Sequence, residues 1–487
     1  MVAALTLVPA AFANGWSLQT VPAGPSTTSN SLNGVSCSSV SNCFAVGDEK
    51  SGGQFSALIE HYNGTSWAVQ GFAGPPGQSF LEGVSCPTSS FCMAVGQDSP
   101  TGGGQVPLVF TFNGSAWAQQ TVPLVSGSAV LSGVSCTSST FCMAVGQFTS
   151  AGQIAAWSWN GSAFTLQHTG SGFFPADFTS VSCTSRTFCA AVGYSGVQFT
   201  SGIVDPFAEF FNGSSWNGPA VPIPSNSRNS LLTGVSCAST SDCQAVGFLS
   251  STNGSHAFGE SYNGIGWSEQ SAPPILTTAV FGGQGADACA TASFCWAVGE
   301  YDIGGPVNPQ VLGDFWNGSS WQFAVLPSPA GANPGLESVS CPTSKDCEAV
   351  GNTDTGGQPA PFAEQYTGSV LSGCCIKFTP HHFALSVSGL EKHGATITAA
   401  LKKPKTLVLF VQTVRHGRAI IVGIVPLGNH PAGTSHIHWN LRVNGKLLRQ
   451  GRYEVSLRSV IGSILSPHAP PGEIALAVKA NGHVSVG

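Results

Sequence analysis

Charge is what this chain most lacks. Only 8% of its 487 residues are Asp, Glu, Lys or Arg, against about 25% in an ordinary soluble domain. Cations are scarcest in the first 373 residues, where 4 Lys/Arg face 20 Asp/Glu, a net charge of −16. Nucleic acid is not an expected partner, because the secretion signal read below argues against that encounter and no binding motif for it appears. After the N-terminus no run of some 18 apolar residues occurs, so no transmembrane helix is expected. Sustained helical periodicity is missing too. Gly-x-Ser-x-Gly elbows and phosphate loops are absent, and His61, His168 and His256 fall in separate segments without metal-ligand spacing.

What is there is a repeat. Seven cysteine pairs, each six residues apart, occur at Cys37/Cys43, Cys86/Cys92, Cys136/Cys142, Cys183/Cys189, Cys237/Cys243, Cys289/Cys295 and Cys341/Cys347, each followed by Ala-Val-Gly. Successive first members are 49, 50, 47, 54, 52 and 52 residues apart, a period that belongs to the four-stranded blades of a β-propeller. Short β-rich runs between Gly, Ser and Asn predict four strands per unit, A to D. Each cysteine pair faces itself across the AB hairpin and is read as a disulfide, zinc being the rival reading that this spacing disfavours. Sixteen cysteines suit an oxidising compartment, and residues 1–13 read as a leader ending Ala11-Phe12-Ala13 whose basic start is missing. The protein is expected to be secreted, with or without retention at the cell surface.

Asn-Gly recurs at Asn63, Asn113, Asn160, Asn212, Asn263 and Asn317 and marks the CD turn, where positive φ is needed. Five of these also match the glycosylation pattern Asn-x-Ser/Thr. Tryptophans follow at Trp67, Trp117, Trp216, Trp267 and Trp321, with Phe164 in the remaining case. Packing between blades is the expected role, stacking on a sugar the alternative. Asn14 to Gln19 has the form of a lone CD turn and strand D, and the seventh unit lacks that strand. The N-terminus is therefore expected to supply it and close the ring. Residues 14–373 resemble the Cys-paired, Asn-Gly-x-x-Trp repeats of secreted bacterial propeller proteins, an architecture shared with kelch-like and sialidase-like propellers. The Ser-x-Asp-x-Gly-x-x-Trp box of sialidases is absent, and Arg186 and Arg228 are too few for their arginine clamp.

AB and CD turns hardly vary, whereas the BC and DA connections do. The face carrying the variable connections is the expected ligand surface, with Asp48, Gln97, Tyr194, Asp205, Phe248, Glu300 and Asp302 as candidate contacts. A repeated carboxylate, Glu60, Glu209, Glu260, Asp314 and Glu364, lies three residues before the CD turn. It is read as a structural hydrogen bond within each blade, with structural Ca²⁺ or an acid/base pair as alternatives. No other cofactor or metal is expected. From Cys374 onward the charge reverses, with 13 Lys/Arg against 3 Asp/Glu, a net +10, and 9 of the 12 histidines lie there. Long alternating strands in residues 374–487 predict an immunoglobulin-like β-sandwich. His438 to Tyr453 resembles the Trp-Gly hairpin of FlgD-type Ig-like domains, with Leu441 near where a Gly is common; a structural role is what that implies. Cys374-Cys375 forms either a vicinal ring or a link to another chain. The basic domain is expected to meet an anionic envelope polymer. The whole reads as a non-enzymatic binding or adhesion protein for a glycan or protein ligand, with a polysaccharide-active enzyme as the alternative and a structural envelope component as the third reading.

Overall fold

The computed structural model of the chain divides into two compact units, Met1–Gly368 and Ser369–Gly487. It describes residues 15–368 except 23–28, 76, 102, 125–126, 150, 171–174, 197–202, 226, 252–253, 271–280, 303–308 and 330–331, and in the second unit the strands given below. The expected leader, the Cys374-Cys375 pair and the middles of several BC connections lie outside the described residues.

Seven four-stranded antiparallel sheets form the first unit, a seven-bladed β-propeller. The first strand, β1 (Trp16–Gln19), precedes blade 1, which comprises β2 (Ser29–Ser39), β3 (Asn42–Ser51), β4 (Gln54–Tyr62) and β5 (Trp67–Val69) in that order. Strand A is innermost in every blade. After β2 the inner strands are Gln78–Thr88, Ala129–Ser138, Ala176–Ser185, Asn229–Ser239, Phe281–Thr291 and Ala332–Thr343. Each touches the next around the axis, and the seventh returns to β2. Closure is as the chain ends predicted. β1 pairs with strand C of blade 7, Trp16 opposite Tyr366 and Gln19 opposite Ala363.

Local chemistry explains the repeat. All seven cysteine pairs are disulfides, as the spacing predicted, and none is a metal site. Cα atoms are 3.9 Å apart in Cys37–Cys43, Cys136–Cys142, Cys183–Cys189 and Cys237–Cys243. They are 4.0 Å apart in Cys289–Cys295 and 4.1 Å in Cys86–Cys92 and Cys341–Cys347. The bridges do more than clasp the AB turn. Their second members, on strand B, are fully buried at Cys43, Cys92, Cys142, Cys189, Cys243 and Cys295 and nearly so at Cys347. The first six of these sulfurs pack into the apolar clusters between blades, where a disulfide serves as a small hydrophobe as well as a crosslink.

In the CD turn Asn63 Oδ1 accepts from the backbone N–H groups of Thr65 and Ser66, both at 3.0 Å, and Gly64 takes φ 91°. The tryptophans pack between blades: Trp117 sits edge-on to Phe44 of the preceding blade at 5.3 Å, and Trp267 stacks on Phe210 at 5.9 Å. Apolar cores therefore lie between adjacent blades, as where Phe44, Val46 and Ile59 of blade 1 meet Leu81, Leu108 and Phe110 of blade 2.

A polar ladder also joins the inner strands. The N–H of Cys86 donates to Ser36 Oγ at 2.9 Å, and Cys136, Cys183, Cys237, Cys289 and Cys37 repeat this with Ser85, Ser135, Ser182, Ser236 and Ser340. Only the seam between blades 6 and 7 differs in kind, because Ala288 stands where the other blades carry Ser.

The second unit is also all-β in its described residues. One sheet orders Ser388–Glu391, Gly394–Leu401 and Gly433–Trp439. A second orders Arg418–His430, Lys405–Arg415, Gly451–Val460, Ile474–Val478 and Val484–Val486, and Arg442–Val443 pairs with Lys446–Leu447. His436 and His438 share one strand face, opposite Thr398 and Thr396.

Candidate functional site

Strand A of every blade carries a β-bulge at one place. In blade 1 the register passes from Leu32–Gly47 to Gly34–Val46 and leaves Asn33 unpaired. The same step leaves Glu82, Ser132, Thr179, Thr233, Gly285 and Glu337 unpaired in blades 2 to 7. A bulge re-aims its extra residue, and all seven line one axial cavity of about 550 Å³. Glycine of the Ala-Val-Gly motif permits the bulge, since a Cβ on Gly47 would collide with the carbonyl oxygen of Ser31.

One layer further along strand A stand Val35, Val84, Val134, Val181, Val235 and Val339, joined in blade 6 by Asp287. This carboxyl is 7% exposed, and neither oxygen bonds to another residue among the described ones. Its Oδ1 lies where a Cβ on Gly234 would come within 2.9 Å, so the glycine of blade 5 leaves it room. Burial pushes Asp287 well above the usual carboxylate range, opposed by a hydrogen bond from its own amide.

Further carboxyls ring the same space. Burial raises Glu82, and the neighbouring charges of Asp48 and Glu337 add to this; burial raises Glu337 as well. Between them Asn33 Nδ2 donates to the carbonyl of Leu81 at 3.0 Å and more distantly to Glu82 Oε2 at 3.4 Å. On blade 4 Asp177, 8% exposed, accepts from Gln147 Nε2 at 3.1 Å. Burial lifts it to about 7 despite that bond. The described lining residues offer carboxyls, amides and hydroxyls, and no imidazole, thiol, amine or guanidinium is among them.

Five of the seven residues expected on the variable face, Asp48, Gln97, Tyr194, Phe248 and Glu300, occupy one position, directly after Ala-Val-Gly on strand B. Of these Gln97 lines the cavity, where Gln147 is its equivalent in blade 3. Asp48 bonds to Ser31 Oγ at 2.6 Å and acts on Glu82 through its charge, and Tyr194 pairs in register with Asp177. Phe248 and Glu300 pair with Leu231 and Gly283. Asp205 and Asp302 lie farther out, opposite Ser195 and Phe281. Loop variability did not point to Glu82, Glu337, Asp177 or Asp287. The signal for three of them was present: aligning units on their cysteines makes the residue before Gly-Val-Ser-Cys the most variable of that motif, and sets Asp287 among six valines.

The repeated strand-C carboxylates do not converge. Glu60, Glu260, Asp314 and Glu364 are 0% exposed and Glu209 6%, one per blade and away from the cavity. Glu209 accepts at 3.1 Å from the N–H of Gly170 in the connection from blade 3, a bond between units of the repeat. In blade 3 the equivalent Trp157 likewise reaches a connection, donating to the carbonyl of Pro123 at 3.1 Å. Glu60, Glu260 and Glu364 have no hydrogen-bond partner among the described residues. Burial lifts Glu60 and Glu260 to about 8. Among the described residues no three His, Cys, Asp or Glu side chains cluster to hold a metal ion, and no helix is long and apolar enough to cross a membrane.

No protein-family model matches the chain, and no curated protein matches it. Among solved structures it is similar to "YCF48 bound to D1 peptide" at 13% identity and TM-score 0.46, over 74% of this chain and 99% of that one. YCF48 from Cyanidioschyzon merolae is similar at 15% identity and TM-score 0.43, over 72% and 98%. A protein of unknown function from Dyadobacter fermentans is similar at 9% identity and TM-score 0.44, over 73% and 100%.

Proposed function

We propose that this is a secreted, non-enzymatic recognition protein whose propeller receives a segment of a protein or glycan ligand in its axial well. The supporting observation is that all seven blades break their strand pairing at the same place and aim one residue each, six of them with polar side chains, at a single cavity. Seven disulfides fit an oxidising, non-cytoplasmic compartment. The carboxyls, amides and hydroxyls of the described walls offer the dispersed polar contacts that hold and orient a ligand. In this reading the second unit is an Ig-like sandwich, and its 13 Lys/Arg against 3 Asp/Glu draw the protein to an anionic envelope polymer.

Arrays of glycans, cell-wall polymers and peptides, probed with the full chain and with an E82A/E337A variant, test the proposal. Capture that the double substitution weakens supports it. Capture indifferent to that substitution would place the ligand elsewhere, and turnover of any polymer would replace recognition by catalysis.

A further inference from the structure

We infer that the axial well is a site for an organic cation, an alkylammonium or guanidinium group, held by Asp287 within the valine layer and by Glu82, Glu337 and Asp177 around the bulge layer. The inference rests on the recognition reading and names the chemistry of what enters. Its central observation is Asp287. The six equivalent positions are valine, so the fold is satisfied by an apolar side chain there and gains nothing visible from a carboxyl. Yet the carboxyl is more than nine-tenths buried, lines the cavity, and leaves both oxygens without a partner in another residue. A buried polar group of this kind is costly unless a hydrogen-bond donor meets it. None of the described lining residues does so, whereas a donor entering the well would; Asp287 differs in this from Glu60, Glu260 and Glu364, which lie away from the cavity.

The rest of the lining selects the kind of donor. Four carboxyl-bearing residues line the well, and no Lys, Arg or His is among its described lining residues, so an anion finds no counter-charge among them. The like-charge contacts that raise Glu82 are relieved by a cation. A compact divalent ion fits poorly, since it needs six to eight oxygens drawn together, while these carboxyls sit on blades 2, 4, 6 and 7 and form no metal-sized cluster among the described residues. An extended cation meets such dispersed carboxyls one at a time. Val35, Val84, Val134, Val181, Val235 and Val339 offer an apolar sleeve for its methylene stem, the way lysine stems lie on apolar surface. The two layers lie about two strand residues apart, roughly 6–7 Å, a span suited to amines separated by a short alkyl chain.

Two sources carry this chemistry, a free polyamine and a lysine side chain of a partner. Calorimetric titration of the full-length protein with spermidine, and separately with N-acetyl-lysine amide, distinguishes them, with N-acetyl-norleucine amide as the uncharged control. At least one of the two amines should bind and the control should not. Asp287→Val, which gives blade 6 the residue of the other six, should fold with an unchanged or higher Tm. It should weaken amine binding by roughly tenfold or more, the loss of one charge-assisted hydrogen bond, and E82Q/E337Q should weaken it as well. Spermidine alone binding assigns the well to free polyamines; the lysine derivative alone assigns it to a protein side chain. Equal amine affinity in the wild type and Asp287→Val overturns the inference, as does failure of both amines. Capture of an uncharged glycan in the well without any amine response sinks the cation and leaves the recognition reading standing.

Discussion

Replacing Trp16 by alanine should unlatch the ring at one identifiable place. Trp16 is fully buried on the four-residue strand β1, edge-on to Trp296 at 5.3 Å and 5.5 Å from Tyr366. Truncating a core tryptophan costs about 3–5 kcal/mol. Unlike the other outer strands, β1 is not joined through a CD turn to its neighbour in the sheet, Pro359–Thr367, and only non-covalent contacts hold it there. Releasing it frees several residues, each regaining about 1–2 kcal/mol of backbone entropy. The opening equilibrium of β1 should therefore rise by about 10² to several 10³-fold. With an unfolding entropy of about 2.1 cal/mol/K per residue over roughly 350 residues, the same loss lowers Tm by about 4–7 °C. Hydrogen exchange reads the first effect at residues 16–19 and 359–367, and scanning calorimetry the second. Trp67→Ala is the control, because it leaves a similar cavity on a strand joined to its blade through the CD turn. Should Trp16→Ala leave both exchange and Tm at wild-type values, or should Trp67→Ala open its strand equally, β1 is not the latch.

Four further outcomes are expected. Burial holds Glu60, Glu260 and Glu348 protonated to about 8 in the folded state, against an ordinary 4.5. The unfolded chain then loses protons that the native state keeps, so stability falls as pH rises from about 4.5 to 8, by at most about 1.4 kcal/mol per pH unit for each group. Tm should be higher at pH 5 than at pH 8, and E60Q/E260Q should flatten the slope. Ala288→Ser supplies the Oγ missing from the inter-blade ladder and should add about 1 kcal/mol, read from chemical denaturation. Cys37→Ala/Cys43→Ala opens one short loop without burying a new hydroxyl at the Cys43 position and should cost about 2 kcal/mol, or about 3 °C in Tm at this size. Asp287→Val should raise stability by about 1–3 kcal/mol by removing an unpartnered buried carboxyl.

Spacing rules made the ring legible. The cysteine period fixed the blade count, Asn-Gly the CD turns, and the complementary chain ends the closure at Trp16 and Tyr366, because each depends on residues near in sequence or on a count. The well was not legible by the same means. Strict alternation along Leu32-Asn33-Gly34-Val35 assigns Asn33 to a paired position, and only the close passage of Gly47 beneath strand A shows that an extra residue is accommodated there. Connection variability drew attention to residues directly after Ala-Val-Gly, and at that position Gln97 and its blade 3 equivalent Gln147 line the cavity. The strand-C carboxylates misled in the other direction. Their recurrence suggested a shared site or a bond within the blade, whereas Glu209 reaches the connection from the preceding blade, and Glu60, Glu260 and Glu364 have no hydrogen-bond partner among the described residues.

Sevenfold repetition and a specific ligand make opposite demands on one sequence, and the bulge reconciles them. Residues that carry the ring are fixed by contacts on both sides: the Ala-Val-Gly glycine by the backbone over it, the cysteine by its bridge, the preceding serine by the next blade's N–H. The bulge residue has no ladder partner, so its side chain varies without disturbing the register, from Asn33 through Glu82 and Thr179 to Gly285. Variation at that one position suffices to give an otherwise symmetric channel a polarised wall, with Glu337 and Glu82 flanking Asn33. Asp287 goes further, because it alters a position that every other blade keeps apolar, and Ala286 and Ala288 beside it also depart from the repeat. Blade 6 thus gives up a serine of the inter-blade ladder and an apolar core contact in the same strand. A blade that had merely drifted would be expected to lose such features toward the solvent side, where substitution costs least. Here the departures fall on the innermost strand, and the one new functional group among them lines the cavity.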